Sequence, residues 1–377
     1  MKTLFRILFT VFTLCSLGLF NSCNHDDDVG LSFNNEREKE VITKYYDLAE
    51  EVKVMWPSYQ LPYTKPILII FPNEAGEDQY GYLLNIDGTP PGGSSRVRFD
   101  SGNPSPIYRN DDLVIEAKKL YGDVLPPFAF DFPFQGKSFF LSKSLSVAPN
   151  AYINYKMKDY NDAPMAIIHE LFHEYQLFSS TPWQLSDWKQ DQNKFPQTAE
   201  IIELSLLLVD EMMKAYHSDD VNAYLERYVS IRRKQIELDP SSERLILKQA
   251  TFTESVEGSA RYLEHFGALQ TIYPSINEDP SHTFKSQLDT VATANHARHI
   301  LVQRVPYHVG AIVIKLLLDQ KAEVLTALPR GETPYTIAKE WTGKTDAEYD
   351  QILEQLKASV DWPKYQARAQ VLAGLLK

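Results

Sequence analysis

Cysteine is nearly absent from this sequence of 377 residues: there are two, Cys15 and Cys23. No cysteine follows Cys23, so the rest of the sequence offers no disulfide, no thiolate metal ligand and no thiol nucleophile. A metal site in this chain must therefore be built from histidine, aspartate or glutamate.

Positive charge is also in short supply. Lysine and arginine number 38 against 50 aspartates and glutamates, which gives a formal net charge of −12 at pH 7. A nucleic acid is bound through a basic stripe that neutralises its phosphates, so we expect no nucleic acid among the partners. No internal repeat or low-complexity tract is visible beyond a short acidic run. The length is sufficient to bury one large core or two lobes.

Long apolar runs are missing except near the N-terminus, where Ile7–Phe20 (ILFTVFTLCSLGLF) follows Lys2 and Arg6. This run has the length of a signal-peptide core and is short for a membrane span. We therefore predict that residues 1–22 are a lipoprotein signal peptide and take no part in the fold. The apolar stretches further along are too short to span a bilayer and are typical of core helices.

The residues after this run favour a lipid anchor. Ser22-Cys23 resembles the end of a bacterial lipobox, in which a small residue precedes a cysteine that becomes acylated, although Phe20 and Asn21 depart from the usual residues. The run Asp26–Asp28 resembles the export tags of surface lipoproteins in some diderm bacteria. We expect an extracytoplasmic protein, anchored to the outer membrane through a lipid on Cys23 and exposed on the cell surface. The alternative is a secreted protein with a solvated acidic tail.

The remaining sequence divides into a tether and two lobes. Residues 23–35 are polar and predict an acidic tether. Residues 36–160 predict an N-terminal α/β lobe with a mixed sheet, and residues 161–377 a larger, mainly helical lobe. The fold class is therefore α+β, and we expect 36–377 to form one two-lobed domain. In the first lobe, helices are predicted at 36–56 and 111–121, and strands at 65–72, 80–86, 128–146 and 151–157.

Helical periodicity dominates the second lobe. Its predicted helices are 163–179, 197–216, 219–238, 242–270, 283–293, 307–320, 334–341, 345–358 and 362–376. The order of a sheet lobe followed by a helical lobe predicts that the first helix after the sheet forms the floor of a cleft, with a strand edge above it. An extended peptide can bind to such an edge by strand addition.

That first helix carries the motif His169-Glu170-x-x-His173. Asp162 is its predicted N-cap, and Pro164 falls in the first turn, where a missing N–H costs nothing. The two histidines then lie one turn apart on one face, close enough to share an ion. Glu170 lies about 100° further round, from where it can act as a base on a metal-bound water. The open alternative is a core helix with two structural histidines.

A hydrolytic zinc site with two histidines usually has a third protein ligand and an open position. Several acids are candidates: QTAEIIE offers Glu200 and Glu203, and FTESVEGSARYLEHF offers Glu254 and Glu257. Gly258 follows Glu257 directly, and glycine within a helix costs about 1 kcal/mol relative to alanine. Close packing against another helix, such as the metal helix, is a reason to keep it.

HELFHEYQ followed by EGSARYLE resembles the gluzincin metallopeptidases, in many of which the second motif reads Glu-Gly-x-Ala-x-Tyr. The resemblance implies a zincin-like architecture, one Zn²⁺ per chain held by His169, His173 and Glu257, and Glu170 as the general base. Two features depart from the pattern: the long gap between the two motifs, and Ser259, which replaces a bulkier apolar residue. Glu200 therefore stays open as the alternative third ligand.

A third similarity lies in YHVGAIVIKLLLD, which resembles the Tyr-x-x-Gly-x-x helix after the second motif of such proteins. In that region the family often has a tyrosine or histidine that hydrogen-bonds the oxyanion. Tyr307 is the first candidate for this role and His308 the second. The implied activity is zinc-dependent hydrolysis of peptide bonds in a peptide or protein substrate, by a protein that we expect to be a monomer.

Several other titratable residues have competing interpretations. Glu254 either orients a histidine ligand or is an ordinary packing acid. Glu174 is interpreted as structural or solvated rather than as a second base. His296 and His299, three residues apart, are interpreted as part of a loop or an exposed helix because no nearby acid completes a metal site.

Two further functions belong to other classes. One is a non-catalytic surface lipoprotein that binds peptide or glycan in a zincin-like cleft. The other is a structural surface protein in which zinc only links the lobes. The presence of all three ligands and the base argues against a non-catalytic protein. Glu170 beside the ligands favours an open coordination position, which argues against a purely structural zinc. A Gly-x-Met-Glu-Asn-type strand, which binds a free amine in exopeptidases, is absent from the sequence, and this favours an endopeptidase or a peptidase with a narrow, specialised substrate.

Overall fold

A computed structural model describes residues 30–99, 105–144, 163–178, 183–184, 194–271, 288 and 290–376. The predicted signal peptide, Cys23 and most of the tether lie outside these residues. So do the predicted strand at 151–157 and most of the predicted helix at 283–293.

The described part of the N-terminal lobe contains six strands and three helices. The helices are α1 (Glu36–Met55), α2 (Leu61–Thr64) and α3 (Asp112–Tyr121). The strands are β1 (Ile67–Pro72), β2 (Asp78–Leu84), β3 (Ser95–Val97), β4 (Ile107–Arg109), β5 (Phe128–Phe134) and β6 (Lys137–Lys143).

These strands form one mixed sheet with the order β3-β4-β2-β1-β6-β5. Strand β1 pairs in parallel with β6 and antiparallel with β2. Its side chains alternate between two apolar layers: Ile67, Ile69 and Phe71 face the main core, whereas Leu68 and Ile70 face a smaller core beneath α3. Burial on both faces explains why ILIIFP reads as a continuous apolar run rather than as an alternating one.

The C-terminal lobe is helical throughout its described part. Its helices are α4 (Ala163–Phe178), α5 (Ala199–Ala215), α6 (Val221–Leu238), α7 (Thr251–Thr271), α8 (Ala294–Arg298), α9 (Val305–Asp319), α10 (Val324–Ala327), α11 (Pro334–Thr342), α12 (Asp346–Ser359) and α13 (Trp362–Leu375). Short π-helical segments precede α7 and α9, at Ile246–Ala250 and His299–Arg304. The predicted α+β class, with a strand-rich lobe before a larger helical lobe, is confirmed.

One hydrophobic core extends through both lobes, from α1 and β1 to the last helix. Helix α4 lies at its centre, packed against α1, α7 and the two strands β5 and β6. Phe172 on this helix contacts the rings of Trp56 and Tyr59 edge-on, with centroid separations of 5.1 and 4.9 Å. The packing fixes α4 between the sheet and the helical lobe.

The helical segment that ends with α9 begins earlier than predicted, because α8 and a π-helical segment lead directly into it. The combined segment, Ala294–Asp319, is long and apolar enough to cross a membrane by length and composition. However, 72% of its most apolar window is buried inside the protein, as in the core helix of a soluble protein. His296 and His299 belong to its first turns.

Candidate metal centre

Helix α4 supplies two histidines to a buried site. His169 is 2% exposed, and the side chain of His173, one turn later, is 13% exposed. The apolar residues beside them, Ile168 and Phe172, are fully buried and orient this face of the helix inward. The Tyr59 hydroxyl donates to the carbonyl of Ile168 at 2.9 Å, which adds a polar anchor beside His169.

Helix α7 brings Glu257 to the same point. Its Oε2 lies 3.0 Å from His173 Nε2 and 3.4 Å from His169 Nε2, and the two Nε2 atoms are 3.1 Å apart. A zinc ion with ligand bonds of about 2.0–2.2 Å in tetrahedral geometry separates its ligand atoms by roughly 3.4 Å. This triangle of two imidazole nitrogens and one carboxylate oxygen therefore has the dimensions of a zinc site.

The protonation of each imidazole is fixed by the partner of its other nitrogen. His169 Nδ1 lies 3.0 Å from Glu264 Oε2, and His173 Nδ1 lies 2.8 Å from Gln176 Oε1. The Gln176 amide is oriented by its Nε2, which donates to the Val256 carbonyl at 3.0 Å and to Ser259 Oγ at 2.9 Å. Both Nδ1 atoms therefore donate, and both Nε2 lone pairs point toward Glu257.

Three acceptor atoms thus face one another at the centre of the site. While both Nε2 atoms are unprotonated, the buried Glu257 Oε2 has no hydrogen-bond donor among the described residues. A buried carboxylate that meets two imidazole lone pairs requires a positive ion between them. The donor set of two nitrogens and one oxygen suits zinc, which histidine and glutamate commonly bind. His169, His173 and Glu257 can hold a metal ion.

In the metal-free protein, the pKa values of the two histidines and of Glu257 are shifted by the opposite charges beside them. Burial alone would lower the pKa of His169, but hydrogen bonds with Glu257 and Glu264 outweigh it and raise the pKa to about 10. The pKa of His173 is also raised, because the charge of Glu257 outweighs burial. Burial would raise the pKa of Glu257, yet the two imidazoles hold it below its ordinary value. Without metal, protonation of the imidazoles supplies the positive charge beside Glu257.

Glu264 also belongs to the candidate site, although the sequence did not predict it. It is fully buried, and its second oxygen accepts a hydrogen bond of 2.6 Å from Arg261. Such an outer carboxylate fixes the ring orientation of a ligand histidine and increases its basicity. The available signal was its position two turns after Glu257, on the same face of α7.

Glu254 does not orient a histidine ligand, so that interpretation is wrong. Its carboxylate forms an ion pair with Arg232 and accepts a hydrogen bond of 2.5 Å from the Tyr228 hydroxyl. Both partners belong to α6. Glu254 is therefore a buried packing acid, the second of the two predicted alternatives.

Ser259, which departs from the gluzincin motif, takes part in the hydrogen bonds around the candidate site. Its Oγ donates to the Ser255 carbonyl at 2.6 Å and accepts from Gln176 Nε2. An apolar side chain at this position would remove one of the two acceptors that hold the Gln176 amide. Ser259 thereby helps to fix the orientation of His173.

Glu170 lies beside the histidines and is half-buried. Burial raises its pKa, while the positive charges of His169 and His173 oppose the rise. A carboxyl group with a raised pKa is suited to accept and return a proton near neutral pH. Glu174 instead forms an ion pair of 2.7 Å with Lys65, in agreement with its predicted structural role.

The two candidates for the oxyanion donor lie in different surroundings. The ring of Tyr307 stacks on that of His169, with centroids 6.3 Å apart and planes 11° apart. The pKa of His308 is held well below its ordinary value, first by burial and then by the positive charges of Arg261, Arg304 and His265. The structure places Tyr307 against a predicted metal ligand, and its role as a donor stays a prediction.

The alternative third ligand, Glu200, is not brought to the histidines. It is exposed in the first turn of α5, and the described metal-binding group consists of His169, His173 and Glu257. The neighbouring Glu203 is not part of that group either. Among the described residues, the structure therefore favours Glu257.

Helix α7 is held in place by a close crossing with α9. A Cβ atom on Gly258 would lie 2.7 Å from the Cα of Gly310, and one on Gly310 would lie 2.5 Å from the carbonyl oxygen of Glu254. The predicted reason for Gly258, close helix packing, is confirmed, but the partner is α9 and not the metal helix. The crossing lies immediately beside Glu257, so it determines where that carboxylate stands.

Comparisons with protein-family profiles, with curated proteins and with solved structures returned no match to this chain. The assignment of a function therefore depends on the site itself.

Proposed function

We propose that this protein is a zinc-dependent peptidase of the gluzincin type. The observation that carries the proposal is the convergence of His169 Nε2, His173 Nε2 and Glu257 Oε2 within 3.0–3.4 Å, with no donor between them. The base required for hydrolysis, Glu170, stands next to the first ligand on the same helix.

Three protein ligands leave a fourth position of a tetrahedral zinc site open, as in catalytic rather than structural sites. A zinc ion held by these three ligands would act as a Lewis acid and lower the pKa of a water molecule in the fourth position toward about 7. Glu170 accepts the proton of the attacking water and then delivers it to the leaving amine. The reaction breaks the C–N bond of the peptide and forms a C–O bond, and no oxidant or reductant is needed.

The remaining residues of the site position these groups. Glu264 and Gln176 hold the two imidazoles with their Nε2 atoms inward, which prepares the site before substrate arrives. Tyr307, stacked on His169, is the proposed donor to the oxyanion of the tetrahedral intermediate. Burial of the ligands keeps bulk water out and strengthens these interactions.

Peptides are the proposed substrates for a topological reason. Strand β5 is an edge strand of the sheet and contacts the metal helix α4. An extended chain that paired with this edge would lie close to the metal centre and gain main-chain hydrogen bonds. We propose that the enzyme acts outside the cytoplasm, held at the outer membrane by a lipid on Cys23.

The test is digestion of a mixture of unmodified peptides, read by mass spectrometry, with the purified protein and its Glu170→Gln variant. We expect the parent to cleave peptides and the variant to be slower by roughly 10²–10⁴-fold, because only the proton acceptor is lost. The variant should keep its metal. Equal cleavage by both proteins, or none by the zinc-loaded parent, would contradict the proposal.

A further inference from the structure

A surface cleft of about 500 Å³ lies between the turn after α9 and the last turn of α11. The Ser255 hydroxyl of α7 approaches the carbonyl of Glu332, a cleft residue, at 3.5 Å. Glu257, two residues further along α7, points about 200° away from Ser255 around the helix. The cleft and the metal centre therefore lie on opposite sides of α7 and form separate sites.

Trp341 provides an aromatic wall of this cleft. It is 43% exposed, so part of its ring is open to the cleft. Its Nε1 donates to Asn222 Oδ1 at 3.1 Å, so the single polar atom of the indole is satisfied and the ring is held in place. The indole therefore presents a fixed apolar face.

Charged side chains of both signs surround this ring. Arg330 and Glu332 form an ion pair of 3.1 Å, whereas the side chains of Lys321, Glu323 and Glu340 form no hydrogen bond or ion pair with any described residue. Donors and acceptors are thus available side by side. The volume also falls within the range of roughly 300–1,000 Å³ that is common for small-molecule sites.

Lys321 stands in the left-handed region, with φ of 58°, at the end of α9. The N–H of Lys321 bonds to the Leu318 carbonyl and the N–H of Ala322 to the Leu317 carbonyl, the pattern in which glycine is the usual residue. A lysine in this conformation costs conformational free energy that glycine would not. Its ammonium group at the cleft gives a reason for that choice.

We propose that this cleft binds a saccharide, with one sugar ring stacked on Trp341 and its hydroxyls bonded by Lys321, Glu323 and Glu340. A sugar ring has an apolar C–H face that suits an indole. Its hydroxyls both donate and accept, so carboxylates and an ammonium group can bind neighbouring hydroxyls.

Other ligand classes fit less well. The cleft is lined by helices and turns and has no sheet edge to which an extended peptide could add as a strand. Three carboxylates against two cations disfavour a phosphate polymer, and the two cations disfavour a bare metal ion. A neutral polyhydroxylated ligand can donate hydrogen bonds to the carboxylates and accept them from the cations.

The test is isothermal titration of the purified protein with four soluble oligosaccharides: chitotriose, maltotriose, xylotriose and N-acetyllactosamine. We expect saturable binding of at least one of them below about 10 mM. Trp341→Ala should weaken that binding at least about tenfold, and Trp341→Phe should retain part of it because a smaller aromatic face remains. Zinc content should be unchanged in both variants, since the cleft is separate from the metal centre.

Trp362→Phe is the matched control, because this half-buried tryptophan lies outside the cleft. It should bind the saccharide as the parent does. The proposal is overturned if none of the four oligosaccharides binds, or if Trp341→Ala binds as tightly as the parent. Binding of an unglycosylated peptide or of inorganic phosphate that depends on Trp341 would also overturn it.

Discussion

At the scale of single residues, the metal centre depends on hydrogen bonds that hold two imidazoles in one tautomer. Glu264 and Gln176 accept from the Nδ1 atoms, and Glu257 completes a ring of acceptors. The histidine spacing and the resemblance to the gluzincin motifs predicted the two histidines and Glu257 as ligands, with Glu200 as the open alternative. The sequence did not predict Glu264, because which acid of α7 reaches His169 depends on how the two helices cross.

The role of Glu264 leads to a first prediction. Glu264→Gln keeps the shape of the side chain but removes the charge that supports the His169 Nδ1–H donor. We expect the affinity for zinc to fall about 10–100-fold, with the fold retained. Competition with a chromophoric chelator measures the affinity. Glu200→Gln, an exposed acid outside the site, is the control, and an equal loss in both variants would refute the role of Glu264.

The raised pKa of His169 leads to a second prediction, on pH. In the metal-free protein this imidazole keeps its proton up to about pH 10, so zinc must displace a proton to bind. Zinc affinity should therefore rise with pH through the neutral range. The free energy of unfolding of the metal-free protein changes with pH in the opposite direction. The stabilisation from protonated His169 is complete below its unfolded pKa of about 6.5 and is lost as pH rises through 10.

Proton release is measured by titration calorimetry with zinc near pH 7.5, in buffers that differ in their enthalpy of ionisation. We expect at least about one proton released per zinc bound, and fewer in His169→Ala if that variant still binds zinc. An apparent enthalpy that does not vary with the buffer would show that both imidazoles are already neutral in the metal-free protein.

At the scale of secondary structure, the long periodic helices agree with their predictions to within a few residues. Several short elements and two segments with wider helical turns escaped prediction. The strands β3 and β4 have three residues each, too few for a period of two to be recognised. The π-helical segments before α7 and α9 carry ordinary helical residues, so their wider turns arise from tertiary packing rather than from local preference.

The crossing of α7 and α9 gives a third prediction. In Gly310→Ala the new Cβ would lie 2.5 Å from the Glu254 carbonyl oxygen, so the two helices must move apart. We expect a loss of stability of about 1–3 kcal/mol and weaker zinc binding, because Glu257 moves with α7. Denaturant unfolding and metal titration measure the two effects. Gly374→Ala, whose Cβ would meet nothing within 4 Å, should show neither.

At the scale of the whole molecule, one core joins the sheet lobe to the helical lobe, and the candidate ligands come from α4 and α7 within it. Helix α4 also contacts strands of the sheet, so the metal centre lies close to the junction of the lobes. A metal ion here would link two helices that are distant in sequence and stabilise the whole domain.

The central claim is that His169, His173 and Glu257 hold one zinc ion, and elemental analysis of the purified protein tests it most directly. We predict about one zinc per chain in the parent and in Glu200→Ala, and a sharply reduced content in His169→Ala and Glu257→Ala. No zinc in the parent, even after incubation with a zinc salt, would contradict the claim and leave the two histidines as core residues.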